Sequence, residues 1–244
     1  MRFYSHNYES TLNIFNKRND TIGIIKKWGK HTSNGSRAFI SNDSIFYQGK
    51  LFKRNGEYRF YTPKAFDEVF FPQDTIDVSL KISKNKDSNN SQNMRDAKTV
   101  SFSIGSDDTE RKNAGVNKKL AVFSIDMQKY YDYIISDTIY NDKSCYVFIV
   151  KLKEDLKKKD KKDALIHKIV SFFDKENFHV IYREYEFEYN HLLFDLDIDV
   201  IVHMDYVNNV HVPIKIYYRG FWNVMFFKPE RSEFVLENYD YIVE

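Results

Sequence analysis

Three aspartates at alternating positions, followed by a lysine on the next predicted strand, are the residues of this sequence best suited to chemistry. They are Asp195, Asp197, Asp199 and Lys215. Carboxylates on one face of a strand, together with a lysine, form the metal-binding layout of restriction-type nucleases. Those enzymes have an acidic residue two positions before the lysine, where this chain has Pro213. Alternating aspartates are also typical of the solvated face of a sheet, so a metal-dependent, nuclease-like enzyme is kept only as an alternative hypothesis.

No other catalytic motif is found in the sequence. None of the seven histidines has HExxH or zinc-finger spacing, and neither a GxSxG nucleophile elbow nor a GxxxxGK phosphate loop occurs. Cys145 begins an apolar run, where a lone cysteine is usually part of the core. The basic run 157–162 (KKKDKK) is typical of a solvated turn before a helix. We therefore predict that the protein is not an enzyme and has neither a cofactor nor a metal site.

Composition narrows the possible partners. The 244 residues suffice for a sizeable core, and 37 basic against 35 acidic residues give a net charge of only +2. A dedicated nucleic-acid-binding protein normally has a strong basic excess on one face, so we predict that no nucleic acid is bound.

The single cysteine excludes an internal disulfide framework. No apolar run is long enough to span a bilayer, and residues 1–10 lack the apolar core of a signal peptide, so we expect an intracellular protein without a membrane span.

Tyrosine is unusually abundant. The chain has 18 tyrosines and 27 lysines, and both side chains titrate near pH 10. If half of each group titrates near pH 10.4, the net charge falls from +2 to about −20. The protein is therefore expected to become strongly anionic within a narrow alkaline range.

The aspartates lie within residues 178–218, where apolar and polar side chains alternate most clearly. Even-numbered positions from 192 to 202 are apolar and the aspartates occupy the opposite face, while residues 210–218 alternate in the same way. This period of two predicts half-buried antiparallel strands. Asn190-His191 and Asn208-Asn209 are the expected reversals, because asparagine tolerates left-handed backbone conformations.

Further elements are predicted on both sides of this region. Thr62-Pro63 indicates a helix that ends before Pro72, with Thr62 as the N-cap and Pro63 at the first helical position. Apolar spacing predicts helices over residues 126–136 and 163–176. Strands are predicted over residues 75–82, 100–104, 120–125 and 145–152, and polar loops over 84–98 and 105–119.

These elements indicate one β-rich domain with two or three helices. Residues 1–36 are interpreted as an N-terminal arm and a flexible loop, and residues 37–218 as the β-sandwich core with its helices. Residues 219–244 are interpreted as a C-terminal extension.

Four segments, taken in order, resemble blocks of the polyhedrin/granulin family, the occlusion-body matrix proteins of baculoviruses and their relatives. Residues 16–26 carry Asn-Lys followed by Ile-Gly-Ile-Ile-Lys, and residues 49–78 carry Gly-Lys-Leu-Phe-Lys-Arg, two phenylalanines and Ile-Asp-Val. Glu-Asn-Phe stands at 176–178, and the acidic strand pair of residues 184–202 follows. The chain departs from the family in a thinner basic run after the first block, in an apparent insertion at 157–162, and in a tail without counterpart from Tyr217.

The resemblance implies an antiparallel, jelly-roll-like β-sandwich and a structural role, as in a divergent nudivirus-like member. Family members form homotrimers that pack into a crystal around virions in the nucleus of the host cell, and the crystal dissolves in the alkaline insect gut. In the family a cysteine before the helix links neighbouring trimers. Cys145 falls near that place, although its flanking residues differ, so the resemblance implies an inter-subunit disulfide there.

Tyrosines at contacts between copies would explain dissolution by base. Burial in a contact favours the neutral phenol, so the contact is stable at neutral pH and weakens as the pH rises through the range in which phenols ionise. A capsid or host-interaction jelly roll from another virus is the remaining alternative. The candidate alkaline-sensing contacts are Tyr130, Tyr131, Tyr133, Tyr182, Tyr185, Tyr189, Tyr217, Tyr218, Tyr239 and Tyr241.

Overall fold

Long antiparallel strands form most of the computed structural model, which describes residues 4–34, 37–72, 76–77, 119–191, 194–224 and 227–243. The predicted strand 100–104 and the loop 84–98 lie outside the described residues, as does nearly all of the loop 105–119. Of the predicted strand 75–82, only residues 76–77 are described. In chain order the described elements are β1 (Tyr4–Phe15), β2 (Thr21–Asn34), β3 (Arg37–Gly49), α1 (Tyr61–Phe70), β4 (Ile76–Asp77), α2 (Ile125–Gln128), β5 (Tyr131–Tyr140), β6 (Lys143–Leu152), α3 (Lys158–Asp163), β7 (Ile166–Asp174), β8 (Val180–His191), β9 (Phe194–Val207), β10 (Val210–Val224) and β11 (Glu230–Val243).

The described residues divide into two units, and the first comprises those within residues 1–90 and 204–244. Its strands are ordered β4-β3-β2-β1-β11-β10. Helix α1 contributes aromatic side chains to the core of this unit. The ring of Phe66 lies 4.6 Å from that of Phe234 on β11 and 4.9 Å from that of Tyr218 on β10. Each pair has the edge-to-face geometry that aromatic rings favour, so α1 is held against β10 and β11.

The second unit comprises the described part of residues 91–203, with strands ordered β9-β8-β7-β6-β5. Leu196 and Ile198 on β9 are buried, whereas Asp197 between them is exposed. The alternation that predicted this strand is therefore confirmed. Each strand in this unit pairs antiparallel with the next one in sequence, and the connection between β6 and β7 contains the short helix α3.

The reversal at Asn208-Asn209 is confirmed, because both residues have positive φ angles of 49° and 62°. The reversal predicted at Asn190-His191 is wrong. Asn190 pairs with Asp195 and His191 with Phe194, so both residues belong to β8 and its ladder with β9.

The helix predicted over residues 163–176 is wrong, because residues 166–174 form strand β7. Their apolar positions fit helical spacing, but Val170 pairs with Ile149 on one side and with Glu184 on the other. The run is rich in β-branched and aromatic side chains, which suit a central strand. A single turn of helix, α3, precedes it.

Two further predictions over residues 120–136 are also wrong. Residues 120–125 do not form a strand, since residue 120 is helical, residues 122–124 form a turn and a bend, and residue 125 begins α2. The helix predicted over 126–136 is reduced to α2. From Tyr131 onward the chain forms β5, because its backbone pairs with β6 along ten positions, from Tyr131 with Leu152 to Tyr140 with Lys143.

The two ends of the chain lie inside the first unit rather than forming an arm and an extension. β1 pairs with β2 on one side and with β11 on the other, and Leu12 stands opposite Ile25 and Phe234. Residues 4–34 thus supply two strands of the sheet. The C-terminal residues complete β10 and form β11.

The mainly β, antiparallel class with helices is confirmed. The connectivity among the described strands differs from the jelly roll that the resemblance implied. Strands adjacent in sequence pair with each other within each unit, and only the pairing of β1 with β11 joins distant segments. A jelly roll needs Greek-key crossings instead. Among the described helices, none has the length and apolar content needed to cross a bilayer.

Candidate functional site

The tyrosines predicted to sense base fall into two groups by burial. The more exposed group is Tyr133, Tyr217 and Tyr239, whose exposed fractions are 38%, 37% and 43%. Tyr131, Tyr185 and Tyr218 are buried within a single copy and have little surface left for contacts between copies. The remaining candidates are half-buried: Tyr130, Tyr182, Tyr189 and Tyr241.

Tyr218 lies in a polar cluster inside the core of the first unit. Its hydroxyl accepts a hydrogen bond from the indole nitrogen of Trp222, and burial raises the pKa of its phenol well above the ordinary value. Glu230 belongs to the same cluster, and its Oε1 accepts hydrogen bonds from the backbone N–H of Thr62 (2.7 Å) and from the Thr62 hydroxyl (2.9 Å). Burial raises the pKa of Glu230 to about 7.

The contact between Glu230 and Thr62 also corrects the predicted start of α1. Phe60 is the N-cap residue, with an extended backbone and no side-chain capping hydrogen bond, and the helix begins at Tyr61. Thr62 therefore lies inside the first turn, where its free N–H group needs an acceptor. Glu230 supplies that acceptor. Because it is distant in sequence, no local sequence pattern predicts this contact.

Tyr182 belongs to a second cluster, in the second unit. Its hydroxyl donates to Oε2 of Glu184 at 3.0 Å, and Lys168 lies 2.9 Å from the other oxygen of that carboxylate. The ring of Phe172 stacks on the ring of Tyr182 at 4.7 Å. Burial, followed by the charge of Glu184, raises the pKa of the Tyr182 phenol. Burial also raises the pKa of the Tyr131 phenol.

Tyr241 lies beside two histidines that the sequence reasoning did not single out. The rings of His6 and His31, which face each other across β1 and β2, stack at 4.8 Å, and the ring of Tyr241 lies 4.9 Å from that of His6. Burial and the neighbouring His31 lower the pKa of His6 to about 4. Burial also raises the pKa of the Tyr241 phenol, whose hydroxyl donates to the backbone oxygen of Pro213.

Strand β5 has an unusually apolar surface. Ile135 and Ile139 are 73% and 77% exposed, and Ile134 is also exposed. The hydroxyl of Tyr133 on the same strand donates to the backbone oxygen of Val122 at 2.6 Å, and burial raises the pKa of this phenol. Among the described strands β5 pairs with β6 alone, so it lies at an edge of the sheet.

Cys145 is buried at the start of β6, as the sequence indicated. Its thiol donates to the backbone oxygen of Lys143 at 3.3 Å, and burial followed by the nearby Asp174 raises the pKa of the thiol. A raised pKa disfavours the thiolate that forms disulfides. The inter-subunit disulfide implied by the resemblance would therefore require β6 to expose a side chain that has no accessible surface in this structure.

The residues of the nuclease hypothesis are placed as follows. Asp195, Asp197 and Asp199 lie along β9 in the second unit, where Asp197 and Asp199 stand opposite Glu188 and Glu186 of β8. Lys215 lies in the first unit, and its ammonium group forms an ion pair with Glu237 at 2.6 Å. Within the described residues there is no group of three or more histidine, cysteine or acidic side chains placed to hold a metal ion.

Comparison with known proteins does not assign the chain to a family. No protein-family model and no curated protein matches it. Among solved structures, the chain matches a domain described as that of an outer membrane lipoprotein-sorting protein from Vibrio parahaemolyticus. The identity is 9% and the TM-score 0.32, over 98% of this chain and 85% of the other. A TM-score this low supports no argument about fold or function.

Proposed function

We propose that the protein is a structural, self-assembling matrix protein of viral occlusion bodies. Copies associate as homotrimers and pack into crystals in the nucleus of the host cell, where they embed virions until base dissolves the crystal. The proposal does not depend on jelly-roll connectivity, because contacts between copies are made by surfaces. The observation that carries it is the exposed apolar surface of edge strand β5.

An exposed apolar edge strand favours association with another chain. Its outward N–H and C=O groups offer a template for strand pairing, and natural proteins usually protect such edges with lysine, proline or a short strand. β5 has ten residues and contains neither lysine nor proline. Its charged side chains are Asp132 and Asp137, and Asp137 is neutralised by an ion pair with Lys175. Burying Ile135 and Ile139 against a second copy would remove most of their apolar surface from water, which contributes about 1.5–3 kcal/mol for each side chain.

The net charge of +2 supports close packing of identical copies, because weakly charged molecules repel each other little. Base changes this balance in two ways. Tyrosines and lysines lose protons together, so every copy becomes anionic. The phenols of Tyr131, Tyr182 and Tyr218 have raised pKa values, so the fold favours their neutral forms. Their contribution to stability is complete below the ordinary phenol pKa and is lost as the pH rises above it.

Expression of the chain alone in insect cells tests the proposal. We expect micrometre-scale intracellular crystals that persist at neutral pH and dissolve above about pH 10, where phenols and lysines titrate. A chain that stays dispersed at neutral pH, or crystals that withstand strong base, would refute the proposed function.

Substitution in β5 tests the contact itself. The double variant Ile135→Lys, Ile139→Lys places two charges on the edge, and we expect it to remain soluble and to form no crystals. Ile242→Lys, which adds one charge instead of two, is the control, because Ile242 is also exposed (56%) but lies near the end of β11 in the other unit. Crystals of unchanged size and number from the double variant would place the contact elsewhere.

A further inference from the structure

A concave site in the first unit gathers five basic side chains from four separate segments. Lys17 and Arg18 lie in the turn between β1 and β2, Lys50 follows β3, Arg59 precedes α1, and Lys228 precedes β11. The cavity has a volume of about 760 Å³, which lies within the range of small-molecule sites. We call it the basic pocket. The net charge of the whole chain is only +2, so this concentration of cations does not reflect a general basic excess.

Few anionic groups in the structure balance these cations. Among the described residues, Asp20 is the one acidic residue that lines the basic pocket, and its carboxylate accepts a hydrogen bond from the Asn16 amide at 2.8 Å. Arg59 donates from Nε to the backbone oxygen of Phe52 at 2.6 Å, a bond that leaves the two terminal nitrogens of its guanidinium group available. The side chains of the other four cations form no ion pair or hydrogen bond with any residue in the described part of the chain.

The backbone that supports the pocket is held in place before any ligand binds. The Asn16 side-chain oxygen accepts the N–H groups of Arg18 (2.8 Å) and Asp20 (3.0 Å), which fixes the turn between β1 and β2. Arg231 donates to the side-chain oxygen of Asn19 at 2.7 Å and anchors the same turn to β11.

Gly49, which also lines the pocket, is held by its pairing with Gly23 of β2. Its φ of +92° requires glycine, and an added Cβ would lie 2.3 Å from the backbone oxygen of Ile22. Binding would therefore require little further ordering of the backbone, which favours affinity.

We propose that the basic pocket binds an oligophosphate, an anion with two or more linked phosphate groups. Five cations around one cavity match the charge of a diphosphate or triphosphate better than that of a single phosphate. Arginine provides bidentate hydrogen bonds to phosphate oxygens, and lysine provides a compact charge. Such an anion would remove the mutual repulsion of the cations. The proposal is independent of assembly, since it rests on the pocket within a single copy.

Calorimetric titration with sodium tripolyphosphate tests this proposal, with orthophosphate as the comparison. We expect saturable binding that is at least about tenfold tighter for tripolyphosphate and that weakens as salt is added, because cations and phosphates attract through charge. Titration with adenosine triphosphate identifies the source of the phosphates. Equal affinity indicates recognition of the phosphate chain alone, whereas tighter binding indicates that the nucleoside is also bound. If the parent chain crystallises, the soluble β5 double variant serves as the host for these titrations.

Charge-neutral variants locate the site. The double variant Lys50→Gln, Lys228→Gln changes two exposed side chains, so the fold is expected to remain intact, and the affinity should fall about tenfold or more. Lys157→Gln, Lys159→Gln is the matched control in the second unit, with the same change of charge, and it should bind like the parent. Lys17→Gln provides an independent variant should the first one misfold. Equal weakening by the control, or no binding of tripolyphosphate by the parent at low salt, overturns the proposal.

Discussion

Replacing Glu230 by glutamine should stabilise the protein in neutral and alkaline solution. Glu230 is only 1% exposed, and one of its carboxylate oxygens has no hydrogen-bond partner among the described residues. Burial disfavours the charged form and raises the pKa of the group from 4.5 to about 7. The substitution Glu230→Gln removes the charge and keeps an oxygen that accepts the hydrogen bonds from Thr62.

The expected magnitude follows from the change in pKa. A raised carboxyl pKa means that the folded state binds the proton more tightly than the unfolded state. The stability due to Glu230 is therefore complete below pH 4.5 and is lost as the pH rises to about 7. The rise in pKa from 4.5 to about 7 lowers the free energy of unfolding by about 3 kcal/mol between pH 4.5 and the range above pH 7. The glutamine variant escapes this loss but has weaker hydrogen bonds to Thr62, which cost about 1 kcal/mol. A net gain of about 2 kcal/mol above pH 7.5 remains.

Thermal unfolding followed by circular dichroism between pH 5 and pH 9 measures this effect. For a chain of this length, we expect the glutamine variant to unfold about 4–8 °C higher than the parent at pH 8. The difference should shrink toward pH 5. Glu233→Gln on the same strand is the control, because Glu233 is only half-buried, and we expect it to keep the pH profile of the parent. A glutamine variant that is less stable than the parent at pH 8, or whose pH profile matches the parent's, would refute the reasoning.

Three further substitutions test other parts of the core. The pKa of His6 is lowered, so its contribution to the free energy of unfolding is complete above pH 6.5 and is lost as the pH falls toward 4. In the parent this loss should reach about 1 kcal/mol at pH 5. His6→Phe should reduce it, as measured by urea unfolding at pH 7 and pH 5. The buried ammonium group of Lys27 lies 2.6 Å from the carboxylate of Asp67. Asp67→Asn removes this counter-charge and should lower the free energy of unfolding by about 2–4 kcal/mol, measured by urea unfolding at pH 7. Gly29→Ala places a Cβ 1.9 Å from the backbone oxygen of Ser41 and should lower the unfolding temperature by several degrees, corresponding to about 1–3 kcal/mol.

Strands with one buried face were predictable from the sequence because their side chains follow the period of the pleat. Leu196 and Ile198 are buried on β9 and Asp197 is not, as their alternation indicated. The turn at Asn208-Asn209 was predictable for a local reason, because both residues adopt the left-handed conformation that asparagine tolerates. In each case the signal lies within a few consecutive residues.

β7 was misassigned because a short apolar run does not distinguish a central strand from a helix. Ile166, Ile169, Val170 and Phe173 fit the spacing of a helix face, and their strand conformation is decided by pairing with β6 and β8, which local periodicity does not reveal. The C-terminal residues were interpreted as an extension for a related reason. Their partner, β1, begins more than two hundred residues earlier in the chain.

The candidate site shows the same division between local and distant signals. The abundance of tyrosine is visible in the composition, but the burial of Tyr218 depends on α1 and β11. Glu230 is one of four acidic residues in β11, and only its buried position beside Thr62 makes its titration important. The basic pocket combines cations from four segments, of which three lie within the blocks that suggested a family resemblance. No one segment carries enough charge to stand out.

Burial of the tyrosines changes the expected route by which base would release an assembly. The sequence suggested that phenols at contacts between copies respond to base. In the structure, the phenols of Tyr131, Tyr182 and Tyr218, whose pKa values are raised, lie within one copy, and so does the carboxyl group of Glu230. Raising the pH first opposes burial of Glu230 and then opposes burial of the phenols, so each step acts on the fold of the copy itself. A lattice built from such copies would dissolve because its components loosen as well as because they repel each other. The two effects reinforce each other, since a loosened copy exposes further tyrosines whose ionisation adds to the negative charge.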